Sequence, residues 1–200
     1  MPDGKTRCGW ANTGSERYIR YHDEEWGVPV HDDEKLFELL LLEYFQAGLS
    51  WECVLNKRNA FRTAFDGFDY EKISNYDEDK LSELRNNPEI IRNRLKIRAA
   101  VTNARVFCEI RHEFGSFSAY LWGRTNGKVI FEQGKTSSAL SDALSKDLKK
   151  RGMKFVGTTI VYSYLQAVGV TLKKLSKFSS PLTIPYPCGF SGLFALLKNT

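Results

Sequence analysis

Glu43 opens the stretch EYFQAGLSW, Glu43 to Trp51, where the chain places its least interchangeable residues. The acid directly follows the apolar run Leu39 to Leu42. A charge is thus carried into apolar company, and Glu is almost never fully buried without a partner. The run breaks at Gly48 and restarts at Ser50, a good helix N-cap, with Trp51 first in the new helix. A large ring therefore stands beside a tight backbone corner, with Glu43 about two turns earlier. Upstream, CGW (Cys8 to Trp10) and YIRYHDEEWG (Tyr18 to Gly27) add Trp10, Trp26, Tyr18 and Tyr21. Rings and one acid near a helix corner suit a flat, partly cationic ligand, stacked on its faces and hydrogen-bonded at its edge. The same residue types also make an ordinary aromatic core around a satisfied acid, and types alone do not choose between the two.

The elements that must position these residues read as helices. Asp32 and Asp33 cap a helix from about Glu34 to Ala47 whose apolar positions crowd most of its circumference, which marks it as the buried central helix. The next helix is expected from Ser50 to about Phe65, ended by Asp66-Gly67. Short helical stretches are expected around Glu16 to Tyr21, Asp77 to Arg85 and Ser116 to Trp122, and a longer helix from Asn93 or Arg94. From Ser141, DALSKDLKKRG gives a helix stopped at Gly152, and a tight link leads to a second helix from Thr158 to Gly169. Helix, glycine-bearing hairpin and helix with a free N-terminus present backbone N–H groups to an anion, and a DNA phosphate fits there. No repeat and no strand pair is evident, so the expected fold is all-α. After Gly169 the chain turns rich in Ser, Pro and Leu, and a tail over 170–200 is expected beyond a helical domain of 1–169.

The 200 residues fit one domain with a substantial core. The beginning MPDGKTRCGW has no long apolar segment and no run is long enough to span a bilayer, so a cytoplasmic protein with no membrane partner is expected. Four scattered cysteines, at 8, 53, 108 and 188, argue against a disulfide framework. The net charge of +5 is concentrated. Seven basic residues between Arg85 and Arg111 face only Glu89 and Glu109, and five between Lys146 and Lys154 face only Asp147, on an otherwise slightly acidic body. Two such segments look like polyanion footprints, although solvated helix faces read the same way.

RCGW, YHDEEWGVP, LEYFQAGLSW, IIRNRLKI and SDALSKDLKKRGMKFVGTTIVYSYLQAVG together strongly resemble the DNA-3-methyladenine glycosylase I family, from about Arg7 to Gly169. The resemblance implies a helix-hairpin-helix glycosylase fold with its hairpin at about 150–157. It implies removal of 3-methyladenine from alkylated double-stranded DNA by a monomer of the bacterial cytosol or nucleoid, with free 3-methyladenine as product. Glu43 matches the family's pocket acid, Trp51 its stacking ring, and Tyr18 and Tyr21 its pocket tyrosines. Trp10 and Trp26 match tryptophans at or near the pocket. Gly48 and Leu49 match the corner that approaches DNA where the damaged nucleotide has left the stack. Lys149, Lys150, Lys154, Gly157 and Thr158 are the expected contacts to the DNA backbone. The competing reading is a non-catalytic binder of alkylated or distorted DNA.

No cofactor is expected for the chemistry. The family's zinc clasp is matched only by half: Cys8 and His22 stand at the N-terminal ligand positions, whereas Lys174 and Phe178 occupy those of the C-terminal pair. Cys188 is the one cysteine of the tail and a weak third candidate ligand. Tyr44 also departs from the small residue usual after the acid, and either narrows the pocket or packs away from it.

Overall fold

Most of the longer helices begin where a side chain accepts their first free N–H groups, and these caps fix the helix starts. The computed structural model describes residues 7–11, 15–132 and 136–173. Their helices are α1 (Glu16–Glu24), α2 (Asp33–Gln46), α3 (Trp51–Asn56), α4 (Arg58–Ala64), α5 (Tyr70–Ser74), α6 (Glu78–Asn86), α7 (Arg94–Phe114), α8 (Phe117–Gly123), α9 (Ala139–Lys150) and α10 (Thr158–Ala167). Asp32 caps α2, Ser50 caps α3, Asp77 caps α6 and Asn93 caps α7, each accepting from backbone N–H groups two or three residues on. Every residue of α2 from Leu36 to Phe45 is buried. It packs against α3, α7, α8 and α10, which makes it the central helix the sequence foretold.

Two expectations are corrected. The helix expected from Ser50 to Phe65 is two helices, broken at Lys57, whose φ of −96° and ψ of 0° end one and open the other. The break turns Arg58 back onto Glu25 and Glu38. A small parallel strand pair also exists, β1 (Ile130–Glu132) and β2 (Thr171–Lys173), with Ile130 opposite Thr171. Three residues per strand are too few for an alternation to show in sequence. Val170, Thr171 and Leu172 are buried, so the chain stays on the body just past Gly169. The rest of the expected tail lies outside the described residues.

The linker between α1 and α2 is pinned to the end of α10: the Gly27 N–H donates to Ala167 O at 3.2 Å and the Val30 N–H to Val168 O at 3.1 Å. Gly169 permits the approach. Its φ is +75°, and a Cβ there would lie 2.5 Å from the Pro29 nitrogen. Three elements that wall the site, α1, α2 and α10, are thereby brought together.

Candidate base-binding site

A cavity of about 260 Å³ is lined by Trp10, Tyr18, Tyr21, Trp26, Glu43, Gln46, Trp51, Ser163 and Gln166. An apolar cavity of roughly 150 Å³ admits benzene, so this one has room for a fused bicyclic base. Helix α1 supplies the tyrosines, α2 the acid and Gln46, the first turn of α3 Trp51, and α10 Ser163 and Gln166. The rings pack against one another. Tyr21 meets Trp51 at 5.2 Å between centroids, and Trp10 meets Tyr18 at 5.4 Å and Trp26 at 5.1 Å. All six sequence-predicted pocket residues, the acid included, thus line one space.

Glu43 is 5 % exposed and has no hydrogen-bond or ion-pair partner among the described residues. Burial alone raises its pKa to about 8. Three buried donors around it are equally unmatched, the Tyr21 hydroxyl, Trp51 Nε1 and Gln166 Nε2. Buried polar atoms are nearly always paired, so such a set on residues that line one cavity marks a place kept for a ligand. Tyr44 does not narrow that place. Its hydroxyl donates to Lys96 O at 3.4 Å and its ring lies beside Phe155, away from the cavity.

Gln46, Ser163 and Gln166 were not singled out from the sequence. Their signals were present: Gln46 lies one turn after Glu43 on the same face, and Ser163 and Gln166 are two polar residues three apart in a helix that is otherwise apolar or aromatic after its two opening threonines.

At the cavity's edge α2 ends and the chain turns through Gly48, with φ of +82°, to Leu49, which is 42 % exposed. The hairpin between α9 and α10 is braced from α7. The side chain of Asn103 accepts from the Lys154 N–H at 2.8 Å and donates to Lys154 O at 3.0 Å, and Ser145 Oγ donates to Val156 O at 2.7 Å. Lys149, Lys150 and Lys154 are exposed, and no ion pair involves them among the described residues. Gly157 caps α10 without a side chain, leaving its first N–H groups free of side-chain partners. The Thr158 hydroxyl is taken by Asp142 and Ser141, so only its backbone N–H remains for an anion.

Cys8 and His22 are adjacent, with the Cys8 N–H 3.4 Å from His22 Nε2, and His22 Nδ1 lies 2.9 Å from Asp23. No group of three or more metal-binding side chains occurs among the described residues. Two donors fall short of the four that close a structural zinc site. Lys174, Phe178 and Cys188 lie outside the described residues.

Helices α9 and α10 joined by a braced hairpin, beside an aromatic pocket holding one buried acid, define a helix-hairpin-helix DNA glycosylase fold. The comparisons with known proteins agree. The chain belongs to the methyladenine glycosylase family, whose model matches residues 10–179. It is 45 % identical to DNA-3-methyladenine glycosylase 1 of Escherichia coli K12 over 170 residues, 82 % of this chain and 90 % of that protein. It is 41 % identical to DNA-3-methyladenine glycosylase of Haemophilus influenzae over 171 residues, covering 82 % and 92 %. A crystal structure of a 3-methyladenine DNA glycosylase I superposes with a TM-score of 0.79 at 45 % identity, covering 83 % of this chain and 94 % of that one. The Staphylococcus aureus 3-methyladenine DNA glycosylase I superposes with a TM-score of 0.77 at 38 % identity, covering 80 % and 88 %.

Proposed function

We propose that this protein is a monofunctional DNA glycosylase that hydrolyses the N-glycosidic bond of 3-methyladenine in alkylated double-stranded DNA. The observation that carries the reading is the Glu43 carboxyl, buried, partnerless and set against a ring-walled cavity. Adenine methylated at N3 while attached to deoxyribose is cationic. Its glycosidic bond is already weakened and the departing base is neutral, so general-acid protonation of the leaving group is unnecessary.

The flipped nucleotide enters the cavity, stacks on Trp51 and Tyr21, and meets Glu43 at its edge. With a pKa of about 8 the carboxyl of the empty site is mostly protonated at neutral pH. A cationic base favours the ionised form, so binding releases a proton and creates the charge pair. Cation–π contact contributes about 2 kcal/mol, and a charge-assisted hydrogen bond about 1.5 to 3 kcal/mol. Unmodified adenine, lacking the charge and the weakened bond, receives neither. No lysine lines the cavity among the described residues, which supports water over an amine as nucleophile. Gly48 and Leu49 occupy the vacated stack, and Lys149, Lys150, Lys154 and the N-terminus of α10 hold the DNA backbone. The protein acts as a monomer in the bacterial cytosol, without a cofactor in the chemistry.

Incubating the purified chain with methylated DNA and assaying the released bases tests this. Free 3-methyladenine is expected, with 7-methylguanine left on the DNA. The kcat/KM should rise about tenfold per pH unit until it levels near the Glu43 pKa of about 8. Tight binding without release would make the protein a non-catalytic binder of damaged DNA.

A further inference from the structure

Most guanidinium groups along α6 and α7 are already engaged. Arg85 and Arg98 pair with Glu78, Arg105 donates to Ser74 O, and Arg111 pairs with Asp33 and Glu71. Arg92 and Arg94 are exposed, and neither has an ion-pair or hydrogen-bond partner among the described residues. Beside them, in the first turn of α7, Leu95 is 69 % exposed. One exposed leucine needs no explanation by itself. Its location does.

Lys96 fixes that location. Its side chain turns inward and its ammonium donates to Phe45 O at 2.9 Å and Ala47 O at 2.6 Å, carbonyls left free where α2 ends. Ala47 directly precedes Gly48 and Leu49. One buried lysine therefore clamps the start of α7 to the corner assigned to the vacated stack, within the reach of a single side chain. Tyr44 joins the hairpin to the same junction, with its hydroxyl on Lys96 O and its ring centroid 6.2 Å from that of Phe155. Leu49, Leu95 and Phe155 are three exposed apolar side chains from three separate segments, and Lys96 and Tyr44 tie those segments to the end of the helix that carries Glu43.

We infer that the start of α7 is a second DNA-contacting edge: Leu95 enters the duplex beside Leu49 as an apolar wedge, and Arg92 and Arg94 hold the flanking phosphates. The inference rests on the glycosylase reading above. Duplex DNA offers phosphates and separable apolar base steps side by side, and wedge side chains with adjacent cations match both. A second copy of this chain meeting the same patch would set Arg92 and Arg94 against their own counterparts, which like charge opposes.

Leu95→Ser in the full chain tests it, because an exposed side chain can be cut back without unfolding the protein. Excision from a duplex with one lesion is expected to fall about tenfold. Affinity for free 3-methyladenine, read by tryptophan fluorescence, and Tm should stay at the wild-type values. Arg92→Ala with Arg94→Ala should weaken duplex binding and flatten its log–log salt slope by about 2. Phe114→Ala, about 30 Å away along α7, should change neither excision nor binding. Unchanged duplex excision in Leu95→Ser overturns the inference, as does a dimer of the wild type that this substitution dissolves. If the wild type releases no 3-methyladenine, the glycosylase reading falls by itself, and undiminished duplex affinity in the Leu95 and arginine variants then decides against this edge.

Discussion

Helix α2 buries two glutamates about equally, Glu38 at 3 % exposure and Glu43 at 5 %, and the structure treats them in opposite ways. Glu38 accepts from Arg58 Nε at 2.8 Å, Arg62 at 2.6 Å and Lys35 at 3.1 Å, and Arg58 also forks onto Glu25 with two bonds of 2.9 Å. Burial pushes the Glu38 pKa up, but Arg58 and the two other cations outweigh it and hold the carboxyl below its usual range. Glu43, five residues on, receives burial and nothing to offset it. One carboxylate ties α2 to α4, and through the cations it shares with Glu25 to the end of α1. The other is left with an unmet need that a cation entering the cavity would satisfy. Burial does not separate a structural acid from a functional one; the presence of partners does.

Glu43→Gln strikes this contrast hardest. Excision should fall by about 100-fold, from loss of a charge-assisted hydrogen bond worth about 3 kcal/mol. Stability should change in the opposite sense. Because the folded pKa of Glu43 is raised, its contribution is present in full below the unfolded value of 4.5 and is lost as pH rises toward about 8. The variant escapes that loss. By pH 8 it should be the more stable protein by on the order of 4 kcal/mol, with the gap closing near pH 4.5. Paired urea titrations at the two pH values measure it, and a variant less stable than wild type at pH 8 would mean that Glu43 has a partner after all.

Glu38→Gln should do the reverse. Removing one member of a buried ion cluster leaves Arg58 undercompensated and costs about 3 to 5 kcal/mol, while excision by the folded variant at low temperature stays within about threefold of wild type, since the pocket residues are untouched. The cluster also predicts acid lability of the wild type. Glu25, lowered to about 2, and Glu38, lowered as well, contribute stability above the ordinary value of 4.5 that is lost as pH falls through their folded values. Thermal melts between pH 5 and pH 2 should show Tm falling steeply in the wild type and less in Glu38→Gln. Strong loss of excision with Tm unmoved would assign Glu38 to the site and erase the distinction.

The sequence showed one half of this contrast better than the other. Glu43 stood out because a charge is followed by a glycine corner, a cap and a tryptophan, but residue types left an aromatic core equally open, and only the family resemblance pointed to a pocket. The caps at Asp32, Ser50 and Asn93 made the helix starts legible too, since a short polar side chain ahead of an apolar run is a local signal. Glu38 was hidden: its partners come from positions 35, 58 and 62, and only the break at Lys57 brings Arg58 round to meet it. The basic segment from Arg85 to Arg111 was legible only in part, because which of its cations are taken by Glu78, Asp33 and Glu71, and which stay free, is decided by the fold. Composition counts charges, and only the fold decides which of them are free.

Gln166 is where the contrast predicts its smallest effect. Like Glu43 it sets an unmatched polar atom, Nε2, into the cavity wall, but it is neutral, so leaving it unpaired costs far less than burying a charge. An amide can donate to a purine ring nitrogen or accept from the exocyclic amine, whichever the bound base presents. Gln166→Leu should therefore weaken binding of free 3-methyladenine by about fivefold, the worth of one neutral hydrogen bond near 1 kcal/mol. It should leave Tm unchanged or slightly raised, because the orphaned donor is gone. Calorimetric titration of the variant with free base measures the first and a thermal melt the second. Unaltered affinity would mean that Glu43 reads the edge of the base without help from α10, whose wall would then serve only to close the cavity.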